Sequence, residues 1–341
     1  MSEAPVQAPP ELGQAVEIAE GILWLRLPLP LRLDHVNVYL IEDEGGFAVI
    51  DTGWPDDTTQ AIWRHVLKHV VGHGRITRVI ATHHHPDHIG NAGWLARAAH
   101  APLLMSEAEY LLAAARSAGF FDQARTSYLD FYTQRGLSAE LAAHLLDTVA
   151  QYGRIVTPLP PHFAVLQAGE TLPIGGRDFT VLLGGGHSNQ QVMFYCAAQR
   201  VFLSIDQILP DITPHIGVWP VEPEASPLDT FFTSLAAVAA EVDEAALVLP
   251  GHKLPFRGPQ RRIAEITAHH EGVCDRIAAI VAAGPCTIAA IADAIFDRPL
   301  DDRNRGLAFS ETLAHVNFMR RQGRLRQTDD GAGNLFVSTN A

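Results

Sequence analysis

The chain contains 341 residues, of which 47% are hydrophobic and 18% are charged, and it carries a formal net charge of −13. This balance is typical of a globular protein, and no apolar run reaches the roughly 18 residues that cross a bilayer, so we expect no membrane span. Only three cysteines occur, far apart in the sequence, which excludes a disulfide framework and a cysteine-based zinc site. The length predicts two unequal domains, and the lack of a secretory signal pattern predicts a cytoplasmic protein.

Short β-type runs open the chain, and alternating helices and strands follow them. The first three runs are separated by polar or turn-prone residues, which predicts an antiparallel meander. The predicted elements are strands at 21–30, 35–43 and 45–53, a helix at 56–71, a strand at 76–83, a helix at 88–100 and a strand at 101–106. The segment "THHHPDH" therefore lies on a turn between a strand and a helix.

Residues 106–152 interrupt this alternation with Ala- and Leu-rich segments, and they predict a helical cap inserted into the first domain. The cap contains several aromatic residues, among them Phe121 and Tyr132, which either line a substrate pocket or pack the insertion onto the core. Strands resume at 162–210, and further on the pattern predicts a helix at 227–242 and a buried strand at 245–256.

The C-terminal region has a pattern of its own, and it predicts a first domain at 1–260 and a second at 261–341. Helical patterns at 262–283, 287–296 and 310–325 and a hairpin at 324–338 together resemble a winged helix. From residue 260 onward we count ten arginines and ten acidic residues, so this region is neutral.

Four arginines near the end of the last helix, Arg320, Arg321, Arg324 and Arg326, either touch phosphate or form a solvated helix end. The neutral domain and the acidic body favour the second alternative, so we expect no nucleic-acid partner. A domain of this kind more often packs on the catalytic domain or forms a homo-oligomer.

The histidine cluster has the spacing of a metal site. His83 and His85 are two residues apart, so in an extended strand end both side chains point to one side while His84 points away. Asp87 and His88 follow a proline at which a helix can begin, and they offer a second pair of ligands. One turn can thus supply ligands to two divalent metal ions. Imidazole and carboxylate ligands suit Zn²⁺, with Fe or Mn as competing metals.

Three further candidate ligands stand where apolar strands give way to loops: His187 in "GGGHSNQQ", Asp206 in "FLSIDQIL" and His252 in "LPGHK". Catalytic groups of α/β folds usually gather at such strand ends. Each residue taken alone is weak support, but together with the cluster they predict a shared site.

In order, "VIDTG", "THHHPDH", "GGGHS", "SID" and "PGH" resemble the five sequence signatures of the metallo-β-lactamase fold superfamily. The resemblance implies a four-layer αβ/βα sandwich of class α/β that binds two metals. It places His83, His85 and His187 on one metal and Asp87, His88 and His252 on the other. It makes Asp206 the bridging ligand, and it gives Asp51 the role of orienting the metal loop. With its C-terminal winged helix, the chain resembles the hydroxyacylglutathione-hydrolase-like branch.

The chain also departs from parts of the family. His85 stands where flavodiiron-like members carry Glu, which favours hydrolysis over redox chemistry. Residues 188–191 read Ser-Asn-Gln-Gln where many members have Thr or Ser followed by Pro-Gly-His, so the resemblance does not transfer substrate specificity. No insertion of the β-CASP type is evident.

Two metals can activate water and polarise a substrate oxygen, which makes a hydrolase acting on a small molecule the favoured function. Asp87 and Asp206 are the expected catalytic residues, and His215 and Lys253 join Phe121 and Tyr132 as candidate substrate contacts. We expect an acyl bond, a thioester, ester or lactone, as the substrate. The alternative is a phosphodiesterase or nuclease whose winged helix contacts nucleic acid. A non-enzymatic metal-responsive DNA binder is disfavoured, because a sensor needs no open dinuclear site.

Overall fold

The computed structural model describes residues 8–296 and 299–339. Contacts within this described part divide the chain into two compact units. The first unit runs to residue 118 and also contains residues 152–214 and 234–263, and the remaining described residues form the second unit. Among the described residues, no helix combines the length and the apolar character that a transmembrane span requires.

Seven strands form the first sheet of the first unit, and their order in the sheet follows their order in the chain. The first four strands pair antiparallel, as the predicted meander requires, and the last three pair parallel. The strands are β1 (Ala15–Ala19), β2 (Ile22–Pro28), β3 (His35–Asp43), β4 (Gly46–Ile50), β5 (Arg75–Ile80), β6 (Leu103–Met105) and β7 (Ala164–Val165).

The second sheet of this unit has six strands in the order β13-β12-β11-β10-β9-β8. Its strands pair antiparallel except for β11 and β12, which are parallel neighbours. The strands are β8 (Thr171–Ile174), β9 (Arg177–Gly184), β10 (Gln191–Cys196), β11 (Val201–Ile205), β12 (Leu247–Pro250) and β13 (Phe256–Arg257).

Apolar side chains from both sheets form one buried cluster, which contains Trp24 and Tyr39 of the first sheet and Phe179 and Phe194 of the second. Because successive side chains of a strand point to opposite faces, the residues that alternate with Trp24 and Tyr39 belong to a second cluster on the outer face of the first sheet. Trp63 of the adjacent helix packs into that outer cluster. The predicted sandwich of two sheets with helices is therefore confirmed.

The helices are, in chain order, α1 (Asp57–Val66), α2 (Pro86–Ile89), α3 (Ala92–Ala99), α4 (Glu107–Ser117), α5 (Arg125–Thr133), α6 (Ala139–Val149), α7 (Tyr152–Ile155), α8 (Pro227–Glu241), α9 (Pro259–Ala282), α10 (Ile288–Ile295) and α11 (Asp302–Arg321). Asp56 caps α1 by accepting a hydrogen bond from the Thr59 amide, which satisfies one of the free N–H groups of the first turn. A π-helical segment continues α1 to residue 71, so the predicted helix at 56–71 is confirmed.

The second unit combines α5 and α6 with most of α9, with α10 and α11, and with a hairpin of β14 (Leu325–Asp329) and β15 (Leu335–Thr339). Its C-terminal part contains the predicted three helices and hairpin. The last helix begins at residue 302 instead of 310, because the Asp301 carboxylate caps it by accepting from the Asn304 amide. The unit also takes in residues 119–151, which belong to the predicted insertion.

Candidate metal centre

The seven predicted ligands all belong to the first unit, and each follows the end of a strand. They come from the segments after β5, β9, β11 and β12, with Asp87 and His88 in the short helix α2. Two backbone hydrogen bonds join the sheets at this edge: the Val192 amide donates to the Thr82 carbonyl, and the Asn37 amide donates to the Gly251 carbonyl. The packing of the two sheets thus brings together loops that are up to 169 residues apart in sequence, from His83 to His252.

The Asp206 carboxylate lies at the centre of the cluster. Its Oδ2 atom is 3.3 Å from His88 Nε2 and 3.4 Å from the Nε2 atoms of both His187 and His252. Asp87 Oδ2 in turn lies 3.3 Å from His252 Nε2. One Asp206 oxygen thus faces histidines of both predicted ligand sets, His187 of one and His88 and His252 of the other.

Three groups of side chains bring their ligand atoms within 4.8 Å of one another. The first, here called the three-His group, contains His83, His85 and His187. The second, the Asp-His group, contains Asp87, His88 and His252, and the third consists of His83, His88 and Asp206. The first two groups coincide with the two ligand sets that the sequence resemblance implies, and the third links them through Asp206.

Hydrogen bonds at the Nδ1 atoms fix the ring orientations of His88 and His252. His88 Nδ1 donates to Asp51 Oδ2 at 2.7 Å, and His252 Nδ1 donates to the His35 carbonyl at 2.9 Å. The Nε2 atoms of both rings are therefore left free to face Asp206. Such partners select the tautomer and the direction of a metal-binding imidazole.

Asp51 is fully buried and holds two parts of the histidine loop at once. Besides His88, it accepts hydrogen bonds from the Thr82 amide at 2.8 Å and from the Thr82 hydroxyl at 2.9 Å. The same hydroxyl lies 3.0 Å from His83 Nδ1. These contacts are those of a residue that orients the metal loop.

The imidazoles of the cluster have pKa values that are shifted in opposite directions. Burial and the neighbouring His88 hold the pKa of His83 well below its usual range. Burial also opposes the charged form of His252, but the attraction and hydrogen bonding of Asp206 and Asp87 together outweigh it and raise the pKa of His252 to about 10. Burial opposes ionisation of Asp206, but His252 and His88 hold its pKa well below that of an ordinary carboxyl. Burial likewise opposes ionisation of Asp87, and His88 and His252 lower its pKa. The two aspartates therefore present negative charge to any cation at the site.

Backbone strain is concentrated at the ligand loops. Asp51, Ile205 and Lys253 have φ angles of 62°, 50° and 71°, a region that residues other than glycine rarely occupy. Ile205 and Lys253 are the immediate neighbours of Asp206 and His252. Strain of this kind persists where the surrounding structure over-determines the backbone, as at ligand-binding sites.

The residues present fit divalent metal ions. His88 Nε2 and Asp206 Oδ1 are buried and have no hydrogen-bond partner among the described residues. An unsatisfied buried polar atom normally costs about 1–3 kcal/mol, so two such atoms in one cluster of ligand groups call for a partner, which a bound cation or water can supply. Five imidazoles and two carboxylates are donors that suit a borderline divalent cation.

His84 takes no part in the three ligand groups, as its position between His83 and His85 predicts. Its ring instead donates through Nδ1 to Glu109 Oε2 at 2.6 Å. Lys253 Nζ lies 3.9 Å from Asp211, at the edge of the same unit.

The other candidate substrate contacts belong to the second unit. His215 Nε2 lies 3.1 Å from both the Leu307 carbonyl and the Ser310 hydroxyl. Tyr132 is buried beside Phe309, with ring centroids 5.5 Å apart, which is the packing alternative weighed for the aromatic residues of the insertion. Phe121 is half-buried beside Phe120. A role for these residues towards substrate stays a prediction.

Sequence reasoning missed four residues that support the site: His35, Thr82, Glu109 and the hydroxyl of Tyr152. Thr82 carries a local signal, since it directly precedes the histidine cluster. The others lie 25 or more residues from the groups that they support and carry no short motif.

The sequence of the chain matches two family models. A model of the metallo-beta-lactamase superfamily matches residues 31–252. The chain belongs to the metallo-beta-lactamase superfamily. A second model, of the metallo-beta-lactamase-like C-terminal domain, matches residues 274–336. The members of the superfamily are mostly metal-dependent hydrolases, and the His and Asp groups described above are a possible metal site for such chemistry.

Solved structures of the superfamily extend this similarity over nearly the whole chain. A beta-lactamase domain protein from Burkholderia ambifaria is 31% identical, with a TM-score of 0.90, over 98% of this chain and 96% of that one. A metallo-beta-lactamase family protein from Thermus thermophilus is 26% identical, with a TM-score of 0.79, over 95% of this chain and all of that one. A sec-alkylsulfatase from a Pseudomonas species shares the fold alone, at 14% identity, a TM-score of 0.56 and coverage of 90% and 50%. No curated protein matches the chain.

Proposed function

We propose that the chain is a dinuclear metal-dependent hydrolase that cleaves an acyl bond, a thioester, ester or lactone, in a small molecule. The observation that carries the proposal is the pair of ligand groups that face the single carboxylate of Asp206. A lone structural metal needs four ligands and no shared carboxylate, whereas seven ligands suit two ions.

The three-His group and the Asp-His group would each hold one divalent ion, and Asp206 would serve both. Imidazole and carboxylate donors support zinc, with iron or manganese as the competing metals. Two such ions supply a nucleophile at neutral pH and polarise the oxygen of the bond that is cleaved.

The protein side chains position the reacting groups and handle the proton. The Asp87 side chain is 18% exposed, against 7% for Asp206, so Asp87 is the carboxylate that substrate and water can reach. Its Oδ2 atom lies 3.3 Å from His252 Nε2, and its carboxylate would help to hold the metal and would orient the attacking water or receive its proton. Asp206, held by three histidines, keeps its geometry during the reaction.

The arginines of the C-terminal region support a small-molecule substrate over a nucleic acid. Arg320 lies 2.9 Å from Glu224, and Arg324 lies 3.3 Å from Asp275. Arg321 donates to the Glu224 carbonyl, and Arg326 donates to the Ser338 hydroxyl. Cations engaged within their own unit, in a chain of net charge −13, make a poor phosphate-binding surface. We propose that this region, interpreted as a winged helix, serves either as a packing module or as the contact surface of a homo-oligomer.

A hydrolysis panel tests the proposed function. Metal-reconstituted protein is assayed on thioesters, lactones, aryl esters, bis-p-nitrophenyl phosphate and nitrocefin, with the His83→Ala variant as the inactive control. We expect the highest kcat/KM on one acyl class. A preference for the phosphodiester would favour the alternative function, a phosphodiesterase or nuclease. A panel without metal-dependent turnover would refute the proposal.

A further inference from the structure

The start of helix α4 lies behind the three-His group and contacts two of its loops. Glu109, in the first turn of the helix, is fully buried and directs its carboxylate between the loop of residues 83–88 and the loop of residues 187–190. A buried carboxylate is costly unless hydrogen bonds satisfy it, so its partners indicate what it is there to hold.

On the first loop, Glu109 and Tyr152 fix His84 at three points. Glu109 Oε2 accepts hydrogen bonds from the His84 amide at 2.9 Å and from His84 Nδ1 at 2.6 Å. The Tyr152 hydroxyl donates to the His84 carbonyl at 2.6 Å. Because His84 lies between His83 and His85, its backbone cannot move without moving both of these ligands.

On the second loop, the same region of the chain fixes Gln190. Glu109 Oε1 accepts from the Gln190 amide at 2.7 Å, and the Ser106 hydroxyl donates to the Gln190 carbonyl at 2.8 Å. Gln190 is three residues after His187, within the segment that departs from the usual family pattern. One carboxylate thus joins the two loops that carry His83, His85 and His187.

The Asp-His group has other supports. Asp51 holds His88, and the His35 carbonyl holds His252. Neither of these hydrogen bonds involves Glu109. Asp51 also reaches His83 through Thr82, so it serves both groups. The contacts of Glu109 and Tyr152, by contrast, are with His84 and Gln190, which lie next to ligands of the three-His group.

We propose that Glu109, with Tyr152, is a positioning residue that sets the metal affinity of the three-His group selectively. The inference rests on the proposed dinuclear function and deepens it. Loss of a supporting hydrogen bond behind a metal ligand typically lowers metal affinity 10–100-fold. In Glu109→Gln the amide must direct its NH₂ group at one of the N–H donors, so at least one of the two loops loses its partner.

The test measures metal binding directly, by titrating Co²⁺ alone into the metal-free, full-length protein and following its visible absorption. His85→Ala and His252→Ala variants assign the two binding steps to the three-His group and the Asp-His group. We expect Glu109→Gln to weaken binding to the three-His group by about 10–100-fold and binding to the Asp-His group by no more than about threefold. Glu107→Gln, an exposed residue of the same turn, is the matched control and should change neither step.

Equal weakening of both steps, or no weakening of either, would overturn the inference while leaving the dinuclear site intact. A wild-type protein that binds no Co²⁺ would overturn the proposed function as well. If Glu109→Gln does not fold, Tyr152→Phe carries the test, because it removes only the hydrogen bond to the His84 carbonyl. It should weaken the same step by a smaller factor, and an unchanged step would contradict the inference.

Discussion

Gly251, between β12 and His252, is the position at which the smallest substitution should do the most damage to the metal centre. A Cβ at this residue would overlap Asp206 Oδ1 and lie 2.9 Å from His88 Cε1. Non-bonded carbons need about 3.5–4.0 Å, so the His88 ring would have to move by about 0.6–1.1 Å and the Asp206 carboxylate further. The backbone cannot move away instead, because the Gly251 amide donates to the Ile205 carbonyl and its carbonyl accepts from the Asn37 amide.

We therefore expect Gly251→Ala to lose about 100-fold or more in activity, since a misplacement near 1 Å has that effect, and about 1–3 kcal/mol in free energy of unfolding from overpacking. Elemental analysis, hydrolysis of the preferred substrate and urea denaturation in EDTA measure metal content, activity and stability in turn. Gly272→Ala, on an exposed face of α9 with open space around it, is the matched control and should be neutral or slightly stabilising. A Gly251→Ala protein with two metals and nearly wild-type activity would refute the steric argument.

Three further predictions concern the histidine loop, Glu109 and the C-terminal arginines. His83→Ala should abolish metal-dependent hydrolysis, whereas His84→Ala should lower activity about tenfold, because the backbone contacts of His84 remain. Equal losses of activity in a kinetic assay would contradict the prediction that the His84 side chain points away from the metal ligands. Burial opposes ionisation of Glu109, but His84 and two amides lower its pKa to about 2. Its stabilisation is therefore present above its usual pKa of 4.5 and lost towards pH 2, so the difference in unfolding free energy between wild type and Glu109→Gln should shrink over that range in pH-dependent denaturation. Duplex DNA should not bind tightly at physiological salt in a polarisation assay; submicromolar binding that Arg320→Ala/Arg324→Ala removes would contradict this.

Local patterns were sufficient to identify the candidate ligands that the structure brings together. His83 and His85 are two residues apart at a strand end, and Asp87 and His88 follow a proline that begins α2, so a short segment determines its own geometry. His187, Asp206 and His252 each follow an apolar strand, which is also a local feature. The meander of β2, β3 and β4 was predictable for the same reason, since its turns are short and its strands are neighbours in the chain.

The supports of the ligands were not predictable, because they depend on packing between distant segments. Glu109 is 25 residues from His84 and 81 from Gln190, and His35 is 217 residues from His252. An acidic residue in the first turn of a helix has a sufficient local explanation in the helix dipole, and this concealed the role of Glu109.

The insertion shows the same limit in another form. Its aromatic residues predicted an apolar face, but no sequence pattern says which segment covers such a face. Tyr132 packs against Phe309, which is 177 residues further along the chain, and residues 119–151 group with the C-terminal residues. The sequence therefore indicates where helices interrupt the alternation, but not which distant residues those helices pack against.

The supports also determine when the metal centre can form during folding. Asp51 follows β4, His35 begins β3, and Glu109 lies in the first turn of α4, which follows β6. The ring orientations therefore depend on the first sheet and on a helix that follows one of its strands. Asp206 and His252 follow strands of the second sheet. Neither sheet alone contains a complete ligand set with its supports, so the ligands converge only once the two sheets have packed face to face. Metal affinity is then coupled to the folding of the whole first unit, because an ion that binds only the assembled centre stabilises every contact that the assembly requires.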